Sequence, residues 1–299
     1  MSRSIILHLL QWNLKSIIKE LPKIKEQGFN KILISSVQGT KDENNYEFWQ
    51  LYQPLGLRII DSKQIGAKED LTNLCREANQ YNIDIIVDIV LRHTAGVNTG
   101  ELIPHEKVDK ALTDNKYFWT NAPNCDNYYD RWKVYSLATG LPMLDYNNYD
   151  LQKIYINFIQ ELKNCGVKGL RLDQAKHYAL KEEGSHFFEN VFGRFKDMFI
   201  FGECIDTPKE LLDKYIDNGI NVYTDYNLPT DKSKAVIAIE SHDTFHTFKN
   251  TRHMDSTMLI REWEFLLNNN RESSVMWYCR PFDNTCFSDE IRRINKLLK

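Results

Sequence analysis

Asp88, Asp173, Glu203 and Asp243 each stand at or just beyond the end of a short apolar run, with His93, Arg171 and His242 close by in the chain. The stretch GVKGLRLDQAKHY, residues 166–178, is the densest case: Val167, Leu170 and Leu172 lead into Arg171, Asp173, Lys176 and His177. Carboxyl groups gathered in one pocket can attack, donate a proton or stabilise a cation, depending on what surrounds each of them. Taken singly, each residue also has a plainer reading. Asp173 could cap the helix that follows, Glu203 could be a solvated strand end, and His93 and His242 could be core or loop histidines. Together they ask for more, because unpaired buried charges cost stability and nothing in folding requires four carboxylates, two imidazoles and a guanidinium in one place. The aromatic segment EFWQLYQP, which holds Trp49, Tyr52 and Gln53, is either a packed loop or part of the same pocket.

The elements that must position these residues alternate along the chain. SIILHLLQ reads as a strand and LKSIIKELPKIKEQG as an amphipathic helix that Pro22 should kink or split. NKILISSV is a second strand, KEDLTNLCREANQYN a helix, and IDIIVDIVL a continuous apolar strand of the kind buried on both faces. After an irregular stretch come LQKIYINFIQELKNCG (helix), VKGLRLD (strand), SHFFENVFGRFKD (helix), MFIFGEC (strand) and TPKELLDKYIDNG (helix). INVYTDY and KAVIAIE are strands, DSTMLIREWEFLLNN a helix, SSVMWYC the last strand and SDEIRRINKLLK the last helix. Eight strands, nearly all followed by helices, predict an α/β fold, a (β/α)8 barrel with right-handed crossovers. The barrel is expected over 1–93 and 149–299, with residues 94–148 as an inserted small domain or long loop. Too few residues separate INVYTDY from KAVIAIE for a full helix, so the sixth β/α unit should be shortened. No separate C-terminal domain is expected. In such a barrel the chemistry gathers at the C-terminal strand ends.

Composition narrows the partners. The chain has 299 residues, an apolar fraction of 42% and a net charge of −3 with both signs mixed, so no basic stripe recommends nucleic acid. No run approaches the ~18 apolar residues of a membrane span, and the opening MSRSIILHLLQWN reads as a first strand and not as an export signal. The six cysteines form no C-x-x-C pair, so free thiols in a reducing cytoplasm are expected. The aromatic share of 12% would suit a ligand with stacking faces, such as a sugar or a nucleobase.

Read in order, the motifs resemble the α-amylase family, glycoside hydrolase family thirteen. DIVLRH (88–93), GLRLDQAKH (169–177), FGECID (201–206) and IESHD (239–243) are similar to its four conserved-order motifs, FWQLYQP (48–54) to its tryptophan–tyrosine segment, and LPMLD (141–145) to a motif late in its inserted domain. The resemblance implies a retaining hydrolase of α-1,4-linked glucans such as maltodextrin, starch or glycogen. It makes Asp173 the nucleophile, Glu203 the acid/base and Asp243 a third, stabilising carboxylate. Arg171 would sit beside the nucleophile and keep it ionised, with Asp88 as its structural support. Trp49, Tyr52, Gln53, His93 and His242 would contact the sugar, and Lys176 and His177 the acceptor side. An α-glucosidase, a transglycosidase or a non-catalytic maltodextrin-binding protein are the alternatives. Three departures stand out. Arg92 and Met143 replace two calcium ligands of the family, so no cofactor is expected, with Arg92 either standing in for the ion as a structural charge or rotating outward. The missing sixth helix should expose barrel wall, which a homo-oligomer would cover. The family's β-sandwich domain is not expected after the barrel.

Overall fold

The computed structural model describes residues 3–44, 47–98, 100–119, 123–225, 227–281 and 285–298. Eight parallel strands close on themselves in chain order. They are β1 (Ile5–Leu9), β2 (Lys31–Ile34), β3 (Asp84–Ile89), β4 (Gly169–Leu172), β5 (Phe199–Glu203), β6 (Asn221–Thr224), β7 (Ala235–Ile237) and β8 (Ser274–Tyr278). Helices α1 (Leu14–Glu26), α2 (Lys68–Gln80), α4 (Tyr149–Asn164), α5 (Lys209–Asp217), α6 (Ser256–Asn269) and α7 (Asp289–Leu297) accompany the barrel strands, and α3 (Arg131–Ser136) lies in the segment between β3 and α4. The helices follow their apolar spacing. Leu14, Ile17, Leu21 and Ile24 turn one face of α1 to the strands, and Asn13 caps its start by accepting from Lys15 N. In α4, Leu151, Tyr155, Phe158, Ile159 and Leu162 do the same, with Asn148 capping.

Side chains alternate across each strand, and this period of two builds the barrel interior in layers. Ile6, Leu33, Ile86, Phe201, Tyr223, Val236 and Met276 fill the middle as one apolar cluster. Two residues further along the same inward face come His8, Asp88, Glu203 and Tyr278. In β4 the corresponding pair is Gly169 and then Arg171, with Asp173 one more step out. The register lays Asp88 directly beside Arg171 across β3 and β4. The apolar plug thus supports a polar layer at the strand ends.

Three expectations need correction. Helix α1 is not split at Pro22 and runs as one element from Leu14 to Glu26. Pro22 lies on its exposed face, where water can serve the carbonyl that the missing N–H leaves behind. In place of a full helix over SHFFENVFGRFKD there is a π-helical turn, Phe188–Phe192. Phe187 stacks on Tyr178 at 4.7 Å, and Gly193 ends the turn where a Cβ would lie 2.3 Å from Glu189 O. The β6–β7 connection holds a short 3-10 turn at Lys232–Lys234 and no helix among its described residues. Yet the wall there is covered, because outward-facing Val222, Ala235 and Ile237 are all buried and Leu228 of the connection packs on the same core. The reason for covering that wall with a second copy therefore falls away. No helix of the described residues is long and apolar enough to cross a membrane. Among the described residues no cysteine forms a disulfide, and five of the six are buried.

Candidate active site

Arg171 is the hub of the strand-end layer. It is 1% exposed. Its Nη1 donates to both Asp88 oxygens at 2.8 Å and reaches Asp173 Oδ1 at 3.3 Å, while its Nη2 meets Glu203 Oε1 at 2.8 Å. One guanidinium thus serves three carboxylates. Glu203 Oε2 accepts from the backbone N–H of Gln174 at 3.0 Å. Gln174 adopts a left-handed backbone, φ 50°, and so turns that N–H back toward β5.

Burial is the largest influence on the ionisation of these carboxyls. Burial raises Asp88 to about 6 against the pull of Arg171. Asp173 is also raised well above the usual carboxylate range, by burial and then by Glu203, with Arg171 opposing. The expectation that Asp173 simply stays ionised beside Arg171 is therefore corrected: the charge of Arg171 is divided, and its contacts with Asp88 and Glu203, all at 2.8 Å, are shorter than its contact with Asp173. Asp243 opens a π-helical turn, Asp243–Thr247. Its Oδ1 accepts from Thr247 at 3.2 Å, its Oδ2 lies 3.5 Å from His242 Nε2, and burial raises its pKa as well.

An aromatic and imidazole wall stands beside these carboxylates. Tyr52 donates to Asp88 Oδ2 at 2.9 Å and stacks on His242 at 4.9 Å with the rings 4° apart. His93 Nε2 donates to the Tyr52 carbonyl at 2.7 Å. Burial holds His93 down to about 4 and His242 to about 3, so both are neutral donors or acceptors. His8 was not singled out from the sequence. It sits within 5.5 Å of both His242 and Tyr278, fully buried, and burial likewise lowers its pKa. Its signal was present in SIILHLLQ, as a lone imidazole on the inward face of an apolar strand. Several polar atoms of this layer have no protein partner: both His8 nitrogens, His93 Nδ1, His242 Nδ1, Gln53 Oε1 and Asp173 Oδ2.

The remaining candidates lie further out. Trp49 is on the 3-10 turn Phe48–Tyr52, 40% exposed, with Lys41 over its ring. Lys176 Nζ donates to Ile205 O at 2.9 Å, and His177 Nδ1 to Val134 O at 2.8 Å. Arg131, which the sequence does not single out, ties this turn to α3 through Lys176 O, Tyr178 O and Glu183. Gly202 lets the turn approach, since a Cβ there would meet Ala175 Cβ at 2.4 Å.

The two positions that depart from the family's calcium ligands do not fit that ion, which takes six to eight oxygens. Arg92 points inward, 1% exposed, and Met143 is a buried thioether, 3% exposed, bridged to His93 through the backbone. The outward rotation of Arg92 is thus excluded. Among the described residues no group of three or more His, Cys, Asp or Glu side chains is placed to hold a metal ion.

The family model described as the alpha amylase catalytic domain matches residues 11–285. An alpha-amylase of Clostridium acetobutylicum is 32% identical over 217 residues, covering 69% of this chain and 28% of that protein. The chain spans about a quarter to a half of the curated relatives it matches. Among solved structures, a cyclomaltodextrin glucanotransferase with a three-domain ABC distribution superposes with a TM-score of 0.77 at 18% identity, over 99% of this chain and 80% of that one. An alpha-amylase from Geobacillus thermoleovorans, solved with acarbose, gives 0.73 at 17% identity, over 99% and 78%. Those two likenesses speak for the fold; the family model speaks for descent, and by it the chain belongs to the alpha-amylase family.

Proposed function

We propose that this chain is a retaining glycoside hydrolase acting on α-1,4-linked glucans, with Asp173 as nucleophile and Glu203 as acid/base. The observation that carries the reading is the pair of carboxyls from β4 and β5 held on the two Nη atoms of Arg171. A retaining enzyme needs its two carboxyls roughly 5–5.5 Å apart, whereas an inverting one leaves room for a water between them. Two acids gripped by one guanidinium favour the close arrangement. The partnerless polar atoms of His8, Gln53, His93, Asp173 and His242 favour a ligand rich in hydroxyl groups. Tyr52, stacked on His242, offers the apolar surface that a sugar face covers.

The steps follow from these positions. Asp173 Oδ2, free of protein partners, attacks the anomeric carbon while Glu203 protonates the departing oxygen. Both Glu203 oxygens are engaged, by Arg171 and by Gln174 N–H, so Glu203 exchanges one of these contacts for the glycosidic oxygen as the substrate enters. The one proton held by this buried pair of carboxyls resides on Glu203 when Asp173 Oδ2 attacks as the carboxylate; Glu203 passes it to the departing oxygen, and the positive charge developing on the sugar ring is stabilised by Asp243. Water then releases the glycosyl group, with Glu203 acting as base.

Incubation with maltoheptaose and with panose, read by chromatography and by NMR of the fresh products, tests this. The expected result is α-configured product, with Asp173→Asn and Glu203→Gln each lowering kcat by at least about 10³-fold. Inverted product would remove Asp173 from its role. Products longer than the substrate would assign a transglycosidase, and binding without release from either sugar would assign a non-catalytic glucan-binding protein.

A further inference from the structure

Arg92 leaves the end of β3 and turns into the protein. Its Nη2 donates to two backbone carbonyls, Tyr135 O at 2.8 Å and Leu137 O at 3.2 Å. The guanidinium carbon lies 5.1 Å from the ring centre of Tyr146 and 5.9 Å from that of Tyr178. Its Nε and Nη1 have no protein partner, and among the described residues no carboxylate forms an ion pair with it. A buried cation without an anion is costly, and an apolar side chain of similar size would fill the space at less expense. Asp145 feels this charge only from beyond ion-pair distance, so the charge is held by something other than a contacting counter-ion.

That something is the end of α3. The helix stops at Ser136, so the carbonyls of Tyr135 and Leu137 belong to the last turn, where a helix leaves its C=O groups without N–H partners and where cations are favoured. The tyrosine faces add a second source of negative potential. The neighbouring contacts run the same way. Tyr146 OH also donates to Tyr135 O and accepts from Ala179 N, and His177 Nδ1 donates to Val134 O. Three residues of α3 and its exit thus present their carbonyls to the barrel side, and Arg92 holds two of them. The backbone of Arg92 completes the link, its carbonyl accepting from Leu144 N at 2.9 Å.

We infer that Arg92 is a tethered structural cation that docks the end of α3 on the barrel and, through Val134, positions His177, with a guanidinium in the role for which the resembling family uses calcium. The order of the segment 94–148 then needs no divalent cation. This inference concerns folding and does not depend on the reaction; only the part about His177 rests on the proposed glucan binding.

The test uses the full chain. Thermal unfolding of metal-stripped protein is compared with and without a chelator and with millimolar calcium, and hydrogen exchange is followed at amides 131–137. The wild-type midpoint should be the same in all three conditions. Arg92→Met, close in volume but neutral, should speed exchange of those amides about ten-fold or more and raise KM for long maltodextrins while leaving kcat largely intact. Arg92→Lys, which keeps a charge and a donor, should restore most of the protection and of the KM. A midpoint that falls with chelator or rises with calcium overturns the inference, and so does unchanged exchange in Arg92→Met. If Arg92→Met does not fold, the wild-type metal series and Arg92→Lys decide. If the protein acts on no glucan, the KM comparison falls with that reading while the metal and exchange results stand.

Discussion

Arg171 divides one positive charge among Asp88, Asp173 and Glu203, and the histidines around them are held neutral. Both facts make stability depend on pH, with opposite signs. A carboxyl raised in the folded state, as Asp88 is to about 6, contributes stability below the unfolded carboxyl pKa that is lost as pH rises through its folded value. A histidine lowered in the folded state contributes stability above the unfolded imidazole pKa that is lost as pH falls. His8 isolates the second effect, because neither of its nitrogens has a protein partner. His8→Phe should show a stability curve that diverges from the wild type below about pH 6.5, by up to roughly 1.4 kcal/mol per pH unit. Denaturant titrations at a series of pH values read this slope directly, and parallel curves would show that His8 accepts a proton in the folded protein.

At the scale of elements, the turn after β4 carries much of the site. Gln174 in its left-handed conformation turns an N–H to Glu203, and Ala175 then presses against β5 at Gly202. A methyl group at Gly202 would also meet Ile220 Cδ1 at 2.8 Å. Gly202→Ala should therefore cost about 1–3 kcal/mol and raise KM, as the turn bearing Lys176 and His177 moves outward. Urea unfolding together with steady-state kinetics would measure both, and an unchanged KM would mean that Ile220 and Ala175 yield without moving the turn. Much of this scale was legible beforehand. The alternation of β and α segments was enough for the barrel, and period-two alternation puts Asp88, Arg171, Asp173 and Glu203 on one inward face. What was not legible depends on distant contacts. The sequence around Arg171 does not reveal that Asp88 and Glu203 are held more closely than Asp173. Nor does the spacing of Phe187, Phe188, Val191 and Phe192, which suits an α-helix, announce a π-helical turn. Pro22 misled because the effect of a proline depends on which face of the helix it occupies.

At the scale of the molecule, closure of the barrel joins the two ends of the chain. β1 pairs with β8, and α7 seals that seam against α1. Asn295 is fully buried on α7, accepts from Trp277 Nε1 at 3.1 Å and donates to Gln27 O at 3.1 Å. One amide thus links the last strand, the last helix and the end of the first. Asn295→Ala should strand both partners and lower stability by about 2–3 kcal/mol. A midpoint in urea that scarcely moves would show that the seam rests on its apolar contacts.

The direct passage from β6 to β7 has a consequence for the order of assembly. From Thr224 to Ala235 it spans ten residues (235 − 224 − 1), whereas parallel neighbours ordinarily need a crossover of about a dozen residues or more. Loop-closure entropy grows with the logarithm of length, so this is the least expensive parallel pairing in the barrel to form from an open chain. Each other pairing must wait for a longer segment to find its place. The stretch that seemed a deletion is kinetically an advantage: it gives a slow, non-local topology one pair of strands that can meet early.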